Sequence, residues 1–327
     1  MCQKKISGAG RFLILLLCML LTLLFITGCG DEQAVPESQV PSSDSQEETQ
    51  EAEEGEDFVP YEAPEFKSAS YRKDKAEGNG QASIDCSSLA KGYVAASAKS
   101  DKRLKFQVIK GDTTYNYDLS SDGTPSVFPL QSGNGTYTFR VMENVGDTKY
   151  ACIYSAEKSV ELRDEFQPFL RPSDYVNYNK ESKCVLKAQE LASHEQDALG
   201  VVSAIFEYIC DTVKYDHPKA ESVQSGYLPN PDETMETGKG ICLDYAALGA
   251  AMMRSQGIPV KMVFGYVSPD DLYHAWNMFY TEETGWVTVK FEAKGKEWTR
   301  MDITFSANGA DMKFIGNGEN YADVYYY

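Results

Sequence analysis

Apolar and polar residues alternate between positions 82 and 162, in short runs separated by Gly, Asp, Asn and Ser. The clearest runs are 104–109, 136–142 and 150–154. A period of two puts the apolar side chains on one face of each strand, where they can pack against a second sheet. The pattern therefore predicts an antiparallel β-sandwich-like domain over residues 67–165. Its charged side chains fall on the solvent face of the strands, which favours a binding or spacer role over catalysis.

Beyond residue 165 the pattern changes, and two amphipathic segments follow each other at 184–193 and 198–213. The short polar break between them favours an antiparallel helix pair. Cys184 and Cys210 lie nearly symmetrically about this break and could face each other across the pair. Outside the cytoplasm two such thiols can oxidise to a disulfide, and the pattern is equally compatible with two buried free thiols.

The segment 238–267 contains the most informative pattern of the chain. A Gly-Lys-Gly loop is followed by an Ala-rich helix at 242–256, which Gly257 ends, and then by a buried strand at 261–267. Cys242 falls in the first helical turn, where unpaired backbone N–H groups and the positive end of the helix dipole favour thiolate over thiol. The sequence thus predicts Cys242 as a nucleophile, with a small buried core residue as the alternative.

A nucleophilic cysteine needs a base, and the chain has only three histidines. His274 opens an alternating run, and Asp302 lies in another run at 298–305. On neighbouring antiparallel strands the Asp302 carboxylate would fix the tautomer of His274, and the imidazole would activate the thiol. The alternative for His274 is a structural histidine. Asn277 is a second polar partner for His274, although strand alternation points its side chain to the opposite face.

Together these segments resemble the transglutaminase-like superfamily, which has a papain-type fold. The resemblance covers about residues 201–305 and rests mainly on three motifs. These are Lys-Gly-Ile-Cys-Leu-Asp-Tyr-Ala at 239–246, His-Ala-Trp-Asn at 274–277 and Met-Asp-Ile-Thr at 301–304. It implies an α+β chain in which residues 166–327 form a papain-like domain of helices packed on an antiparallel sheet.

The resemblance also implies the roles of three residues: Cys242 as the nucleophile, His274 as the base and Asp302 as the orienting acid. One position departs from the superfamily's usual pattern. Its members commonly carry the aspartate soon after the histidine strand, in a Trp-x-x-x-Asp pattern, whereas Lys290 stands at that place here. The pattern is recovered at 298–302, which implies an extra strand or hairpin in between.

The chemistry that the resemblance implies is acyl transfer at an amide or peptide bond through a thioester. With water as the acceptor, the outcome is hydrolysis by a cysteine peptidase or amidase, with proteins or peptides as substrates, cell-wall peptides among them. With a lysine amine as the acceptor, the outcome is protein cross-linking. A non-catalytic surface binding or scaffold module is the remaining alternative. No metal-binding spacing such as Cys-x-x-Cys occurs, so we expect neither a metal nor a cofactor.

The first 28 residues follow the pattern of a secretory signal peptide. Three basic residues precede the apolar run 12–26, which is shorter than the roughly 20 residues of a membrane-spanning helix. The run closes with Ile-Thr-Gly-Cys at 26–29, which resembles the lipobox of bacterial lipoproteins. We therefore predict cleavage before Cys29, a lipid on that cysteine, and anchoring to the extracytoplasmic face of the cell membrane.

Residues 31–66 contain thirteen Asp or Glu and no Lys or Arg. This composition predicts a disordered, self-repelling tether over residues 29–66. The net charge of −18 is mostly local, because removing these 13 negative charges and the three positive charges of residues 1–28 leaves −8 for residues 67–327. The mildly acidic remainder argues against nucleic-acid binding.

Overall fold

The computed structural model describes residues 58–268, 271–287, 290–293, 296–299, 302–308 and 320–327. The predicted signal peptide, Cys29 and the tether up to residue 57 lie outside the described residues. Residues 56–327 form one compact unit. Within the described part of the chain, no helix is both long and apolar enough to cross a bilayer.

The first half of this unit is strand-rich, as the period-two pattern predicted. Its strands are β1 (Glu77–Gly78), β2 (Ala82–Asp85), β3 (Tyr93–Ala98), β4 (Leu104–Lys110), β5 (Thr113–Leu119), β6 (Ser126–Pro129), β7 (Gly135–Gly146) and β8 (Lys149–Val160). They form two antiparallel sheets with the orders β1-β2-β3-β6 and β5-β4-β7-β8. Alternate residues of β4 are buried, and Phe106 stacks on Phe128 of β6 in the other sheet with ring centroids 4.4 Å apart. The sandwich-like prediction is confirmed.

The second half combines helices with antiparallel strands. The helices are α1 (Lys183–Ala192), α2 (Ala198–Thr212), α3 (His217–Ser222), α4 (Pro231–Thr237), α5 (Cys242–Ser255) and α6 (Ile303–Ala307). The strands are β9 (Lys214–Tyr215), β10 (Lys239–Gly240), β11 (Val260–Val267), β12 (Leu272–Thr281), β13 (Gly285–Val287), β14 (Lys290–Ala293), β15 (Lys296–Thr299) and β16 (Tyr321–Tyr326). The fold class is therefore α+β, as predicted.

Helix α5 lies at the centre of this half. Every residue from 244 to 255 is buried, which explains why small Ala and Gly side chains dominate the segment. The helix packs on a sheet of order β13-β12-β11-β16 and against α1, α2, α4 and α6. A Cβ at Gly249 would lie only 2.6 Å from Ile303 Cδ1 of α6, so glycine permits this close approach. The packing fixes the start of α5 relative to the sheet and to α6.

The strands β14 (Lys290–Ala293) and β15 (Lys296–Thr299) pair as an antiparallel hairpin. This hairpin is the insertion that the displaced aspartate implied. The prediction of a continuous strand over 298–305 is wrong, because β15 ends at Thr299 and Asp302 is the N-cap of α6. The polar Asp302 and Thr304 alternate with apolar neighbours as in a strand, but the Asp302 side chain accepts a hydrogen bond from the Phe305 N–H and starts a helical turn.

The predicted tether extends too far, because residues 58–66 pack on the folded unit. The Tyr61 N–H donates to the Glu195 carbonyl, and the Tyr61 hydroxyl donates to the Gln256 carbonyl over 2.9 Å. The Phe66 ring meets Tyr178 edge-on at 5.8 Å. Burial of these two aromatic side chains stabilises the segment, whereas the sequence prediction considered only its acidic composition.

The two halves of the unit share one hydrophobic core. Tyr327 pairs with Met262 of β11 through two backbone hydrogen bonds of 2.8 Å, and its ring lies 5.7 Å from Tyr117 of β5. Residue 327 thus connects the second half to the sandwich. The predicted domain boundary between residues 165 and 166 stays a prediction.

Candidate active site

Cys242 is the first residue of α5, where the sequence placed it. The helix begins here because the Asp244 carboxylate turns back and accepts the Ile241 N–H over 2.9 Å. A Cβ at Gly240 would lie 2.7 Å from the Asp244 Cβ, so the residue before the turn has to be small. The Cys242 side chain is half-buried. Its sulfur therefore lies at the positive end of the helix dipole.

His274 and Asp302 form a buried pair. His274 Nε2 donates to Asp302 Oδ2 over 2.7 Å, and the two residues are 3 % and 0 % exposed. Asp302 Oδ1 accepts the Phe305 N–H, which fixes the carboxylate at the start of α6. The Phe305 ring stacks on the imidazole with centroids 4.4 Å apart and planes 10° apart. The orientation of His274 is thus set by a carboxylate at its edge and an aromatic ring on its face.

The same surroundings determine the charge of His274. Burial lowers the pKa of the imidazole, but the Asp302 carboxylate and a hydrogen bond with Cys242 outweigh burial and raise the pKa well above its usual value. Since Nε2 is used by Asp302, Nδ1 is the nitrogen left for the thiol. The structure therefore brings Cys242, His274 and Asp302 together in the order that the sequence predicted, with an arrangement that favours a protonated imidazole beside the sulfur.

Tyr321 is a fourth residue of this site, which sequence reasoning missed. Its hydroxyl donates to Asp302 Oδ2 over 2.9 Å, and its ring packs edge-on against Trp276 at 4.9 Å. It comes from β16, which pairs with β11. The tyrosine-rich segment 321–327 was visible in the sequence, but no spacing links it to Asp302.

A second buried carboxylate lies two residues after Cys242. Asp244 is 0 % exposed, forms an ion pair of 2.7 Å with Lys219 and accepts the Tyr227 hydroxyl over 2.7 Å. Lys219 Nζ also donates to the Tyr227 hydroxyl over 2.6 Å. Asp244 thus joins these two side chains to the start of α5, where it accepts the Ile241 N–H. Its two partners from residues 217–230 could not be read from the sequence.

Two tyrosines flank Cys242. Burial raises the pKa of Tyr215 and of Tyr273, and the nearby Cys242 adds to the effect in both. Tyr273 precedes His274, is 53 % exposed and has its ring 5.4 Å from the Tyr266 ring. Tyr273 therefore leaves part of an aromatic surface exposed near Cys242.

The other sequence candidates lie apart from this cluster. Asn277 donates to the Ala246 carbonyl on α5 over 3.0 Å, on the face opposite His274, as strand alternation indicated. Cys184 and Cys210 are free thiols, so the disulfide that the helix pair permitted is not formed. Burial raises the pKa of Cys210 to about 12. The described residues contain no group of three or more His, Cys, Asp or Glu arranged to hold a metal ion.

Comparison with known proteins matches one segment of the chain to a family. Residues 187–291 match the family model of the transglutaminase-like superfamily. The resemblance read from the motifs is confirmed, and this part of the chain is a transglutaminase-like domain. The matched segment includes Cys242 and His274 and ends before Asp302.

A curated relative is the UPF0252 protein MJ1282 of Methanocaldococcus jannaschii, which is 24% identical over 136 residues. The match covers 38% of this chain and 38% of the relative, so the chain spans little more than a third of that protein.

Similar solved structures include a proposed cysteine protease from Cytophaga hutchinsonii, with 14% identity, a TM-score of 0.36, and coverage of 71% of this chain and 73% of that one. Red sea bream transglutaminase is 12% identical with a TM-score of 0.27 and coverage of 70% and 54%. LapG of Legionella pneumophila is 17% identical with a TM-score of 0.24 and coverage of 44% and 83%.

Proposed function

We propose that this protein is a cysteine acyl-transfer enzyme that hydrolyses amide or peptide bonds in proteins or peptides. The observation that carries the proposal is the buried 2.7 Å contact between His274 and Asp302, together with the interaction of His274 with Cys242, which lies at a helix start. In this arrangement Asp302 orients His274 and stabilises the imidazolium, and the imidazolium stabilises the thiolate.

The first half-reaction is acylation. The Cys242 thiolate attacks the carbonyl carbon of the substrate, and the carbonyl oxygen becomes an oxyanion. When the oxyanion collapses, the C–N bond breaks, and His274 gives its proton to the leaving amine. The products are a thioester on Cys242, a free amine and a neutral imidazole.

Two backbone N–H groups are suited to binding the oxyanion. The N–H groups of Asp244 and Tyr245 donate to the Ile241 carbonyl, so those of Cys242 and Leu243 are the ones left at the helix start. Donors fixed in the backbone need no rearrangement when charge develops on the oxygen.

The second half-reaction is deacylation by water. Neutral His274 takes a proton from water, the resulting hydroxide attacks the thioester, and the C–S bond breaks. The carboxylic product leaves, and Cys242 thiolate and His274 imidazolium are restored. Proton and charge therefore balance over the cycle with one water consumed.

The surroundings of the sulfur support a peptide substrate. Tyr273 and Tyr266 offer exposed aromatic area beside Cys242 that an apolar side chain of a peptide can cover. Together with the predicted lipid on Cys29, this makes surface proteins or cell-wall peptides outside the cytoplasmic membrane the proposed substrates. A Cys29→Ser variant should fail to incorporate labelled palmitate that the unaltered protein incorporates.

The test uses the full-length protein in a non-ionic detergent and a panel of unfolded proteins and glutamine-containing peptides. Mass spectrometry counts new N-termini and deamidated glutamines. Cys242→Ala should abolish both, whereas Cys152→Ser, which removes an exposed thiol on β8, should leave the rate unchanged. Turnover that survives in Cys242→Ala overturns the proposal. If an added primary amine is incorporated and no hydrolysis occurs, the proposed reaction is cross-linking and not hydrolysis.

A substrate-independent measurement tests the nucleophile itself. Iodoacetamide should alkylate Cys242 about 10-fold or more faster than Cys152 at pH 6, because His274 and the N-terminal end of α5 both act on the Cys242 sulfur, whereas Cys152 lies on a strand. Peptide mapping of the labelled protein gives both rates in one sample. Equal rates at the two cysteines count against an activated sulfur.

A further inference from the structure

A cavity of about 510 Å³ lies where the segment 64–72 crosses the sandwich, and none of its lining residues belongs to the Cys242 site. Its lining contains five cationic side chains and one carboxylate, that of Glu65. The cations are Lys67, Arg72, Lys91, Arg163 and Arg171. This excess of positive charge occurs in a protein whose residues 67–327 carry a net charge of −8. A random patch of such a surface would be mildly acidic.

Arg171 forms the inner wall of the cavity and is only 8 % exposed. Its guanidinium donates to the Lys91 carbonyl over 2.8 Å, the Ser68 carbonyl over 2.6 Å and Gln167 Oε1 over 3.1 Å. All three acceptors are neutral, and they use three of the five N–H groups of the side chain. Among the described residues, no carboxylate lies within ion-pair distance of it. Burial accordingly lowers the pKa of Arg171, and the attraction of the Asp164 carboxylate does not offset this desolvation.

Of the four neighbouring cations, Arg72 lies 4.0 Å from Asp85 Oδ2, and the other three are without carboxylate partners. Lys67, Lys91 and Arg163 form no ion pair with any residue that the structure describes, whereas Lys102, Arg103 and Lys158 elsewhere in the sandwich all do. Mutual repulsion of several cations is costly unless an anion lies between them. Apart from Arg72, the cavity cations are thus arranged as they would be around a bound anion.

We propose that this cavity binds a phosphate group. Several cations and the guanidinium fork of Arg171 suit a doubly charged, tetrahedral oxyanion better than a single carboxylate. Ser68 and Ser70 add hydroxyl groups to the lining. The phosphate belongs either to a soluble phosphate monoester or to a phosphodiester of the kind found in lipid headgroups. This inference does not depend on the proposed reaction at Cys242.

The test measures binding by the full-length protein in non-ionic detergent, by calorimetry and thermal melting at constant ionic strength. The probes are inorganic phosphate, glycerol 3-phosphate as a monoester and glycerophosphoglycerol as a headgroup-like diester, with chloride and acetate as reference anions. The variant is Lys91→Gln with Arg163→Gln, two side chains whose guanidinium or ammonium group makes no hydrogen bond among the described residues. The control is Lys149→Gln with Lys214→Gln, two exposed lysines outside the cavity, which removes the same charge.

Phosphate should bind more tightly than acetate and raise the melting temperature, and the cavity variant should weaken its binding about tenfold or more. The control variant should bind as the unaltered protein does. A preference for the monoester or the diester identifies the source of the phosphate. The proposal is overturned if no phosphate compound binds more tightly than acetate, or if both variants weaken binding equally, since the latter reports only net charge.

Discussion

Two buried carboxylates lie near the start of α5, and each contacts the same three kinds of group. Asp302 contacts a cation, His274, and a tyrosine hydroxyl, Tyr321. Asp244 contacts a cation, Lys219, and a tyrosine hydroxyl, Tyr227. Each carboxylate also accepts a backbone N–H at a helix start.

The difference between the two clusters is the cation. An imidazole can give up and regain a proton near neutral pH, and its second nitrogen is directed at the thiol. A lysine amine in contact with a carboxylate keeps its proton and has no second face. We infer that the same kind of ion pair orients the proposed catalytic base at one cluster and holds residues 219 and 227 against α5 at the other.

Replacing the two cations gives the largest expected difference between the clusters. His274→Gln should lower turnover by ~10³-fold, because proton transfer to the leaving group is lost. It should also reduce alkylation of Cys242 at pH 6 to the rate of Cys152. Lys219→Gln should leave the alkylation rate close to that of the unaltered protein. Equal losses in both variants would show that the clusters do not differ in role.

Asp244→Asn tests the structural cluster. It should lower the free energy of unfolding by about 3 kcal/mol, because Lys219 and Tyr227 lose a buried ionic partner and the helix start loses its carboxylate. Urea unfolding followed by far-UV circular dichroism gives this value. An unchanged free energy of unfolding would mean that the cluster does not stabilise the fold. Asp302→Asn serves as the matched variant, with loss of alkylation at pH 6 as its main effect.

Tyr321→Phe sharpens the comparison within the proposed catalytic cluster. Removing the hydroxyl takes one donor from Asp302 and should lower kcat about tenfold, with KM and the melting temperature nearly unchanged. Tyr326→Phe is the control on the same strand, because its hydroxyl contacts Asp323 at the surface over 3.2 Å. A change in KM or in melting temperature without a change in kcat would assign Tyr321 to packing alone.

The smallest expected effect concerns stability against pH. The pKa of His274 is raised to about 10, although burial opposes the shift, because Asp302 and Cys242 favour the charged form. A raised pKa gives stability that is complete below the unfolded value near 6.5 and is lost as the pH rises through the folded value. The melting temperature of the unaltered protein should therefore fall toward that of His274→Gln between pH 7 and 10. A gap that widens with pH would contradict this sign.

The sequence was sufficient where a pattern repeats locally. Period-two alternation predicted the sandwich, and an Ala-rich stretch between Gly240 and Gly257 predicted α5 with Cys242 at its start. Helix starts and strand alternation depend on neighbours within a few residues, so they can be read without the fold.

The remainder depends on contacts between distant residues. Asp302 belongs to the motif at 301–304, whose order of polar and apolar residues fits a strand and a helical turn equally well. Tyr321 and Lys219 act through partners 19 and 25 positions away along the chain. In residues 58–66 the acidic composition predicted disorder, although the segment contains Tyr61 and Phe66. These side chains are ordered by contacts with residues far along the chain, namely Glu195, Gln256 and Tyr178.

The position of Tyr321 has a consequence for the life of the protein before it folds. The thiol, the imidazole and the carboxylate all leave the ribosome earlier than the strand that carries the fourth group. A chain that is still being synthesised therefore holds the Cys242 sulfur before its partners are fully in place. For the hydrolase proposed above, full reactivity would thus be delayed until β16 has joined the sheet, which would protect the surrounding proteins from premature hydrolysis.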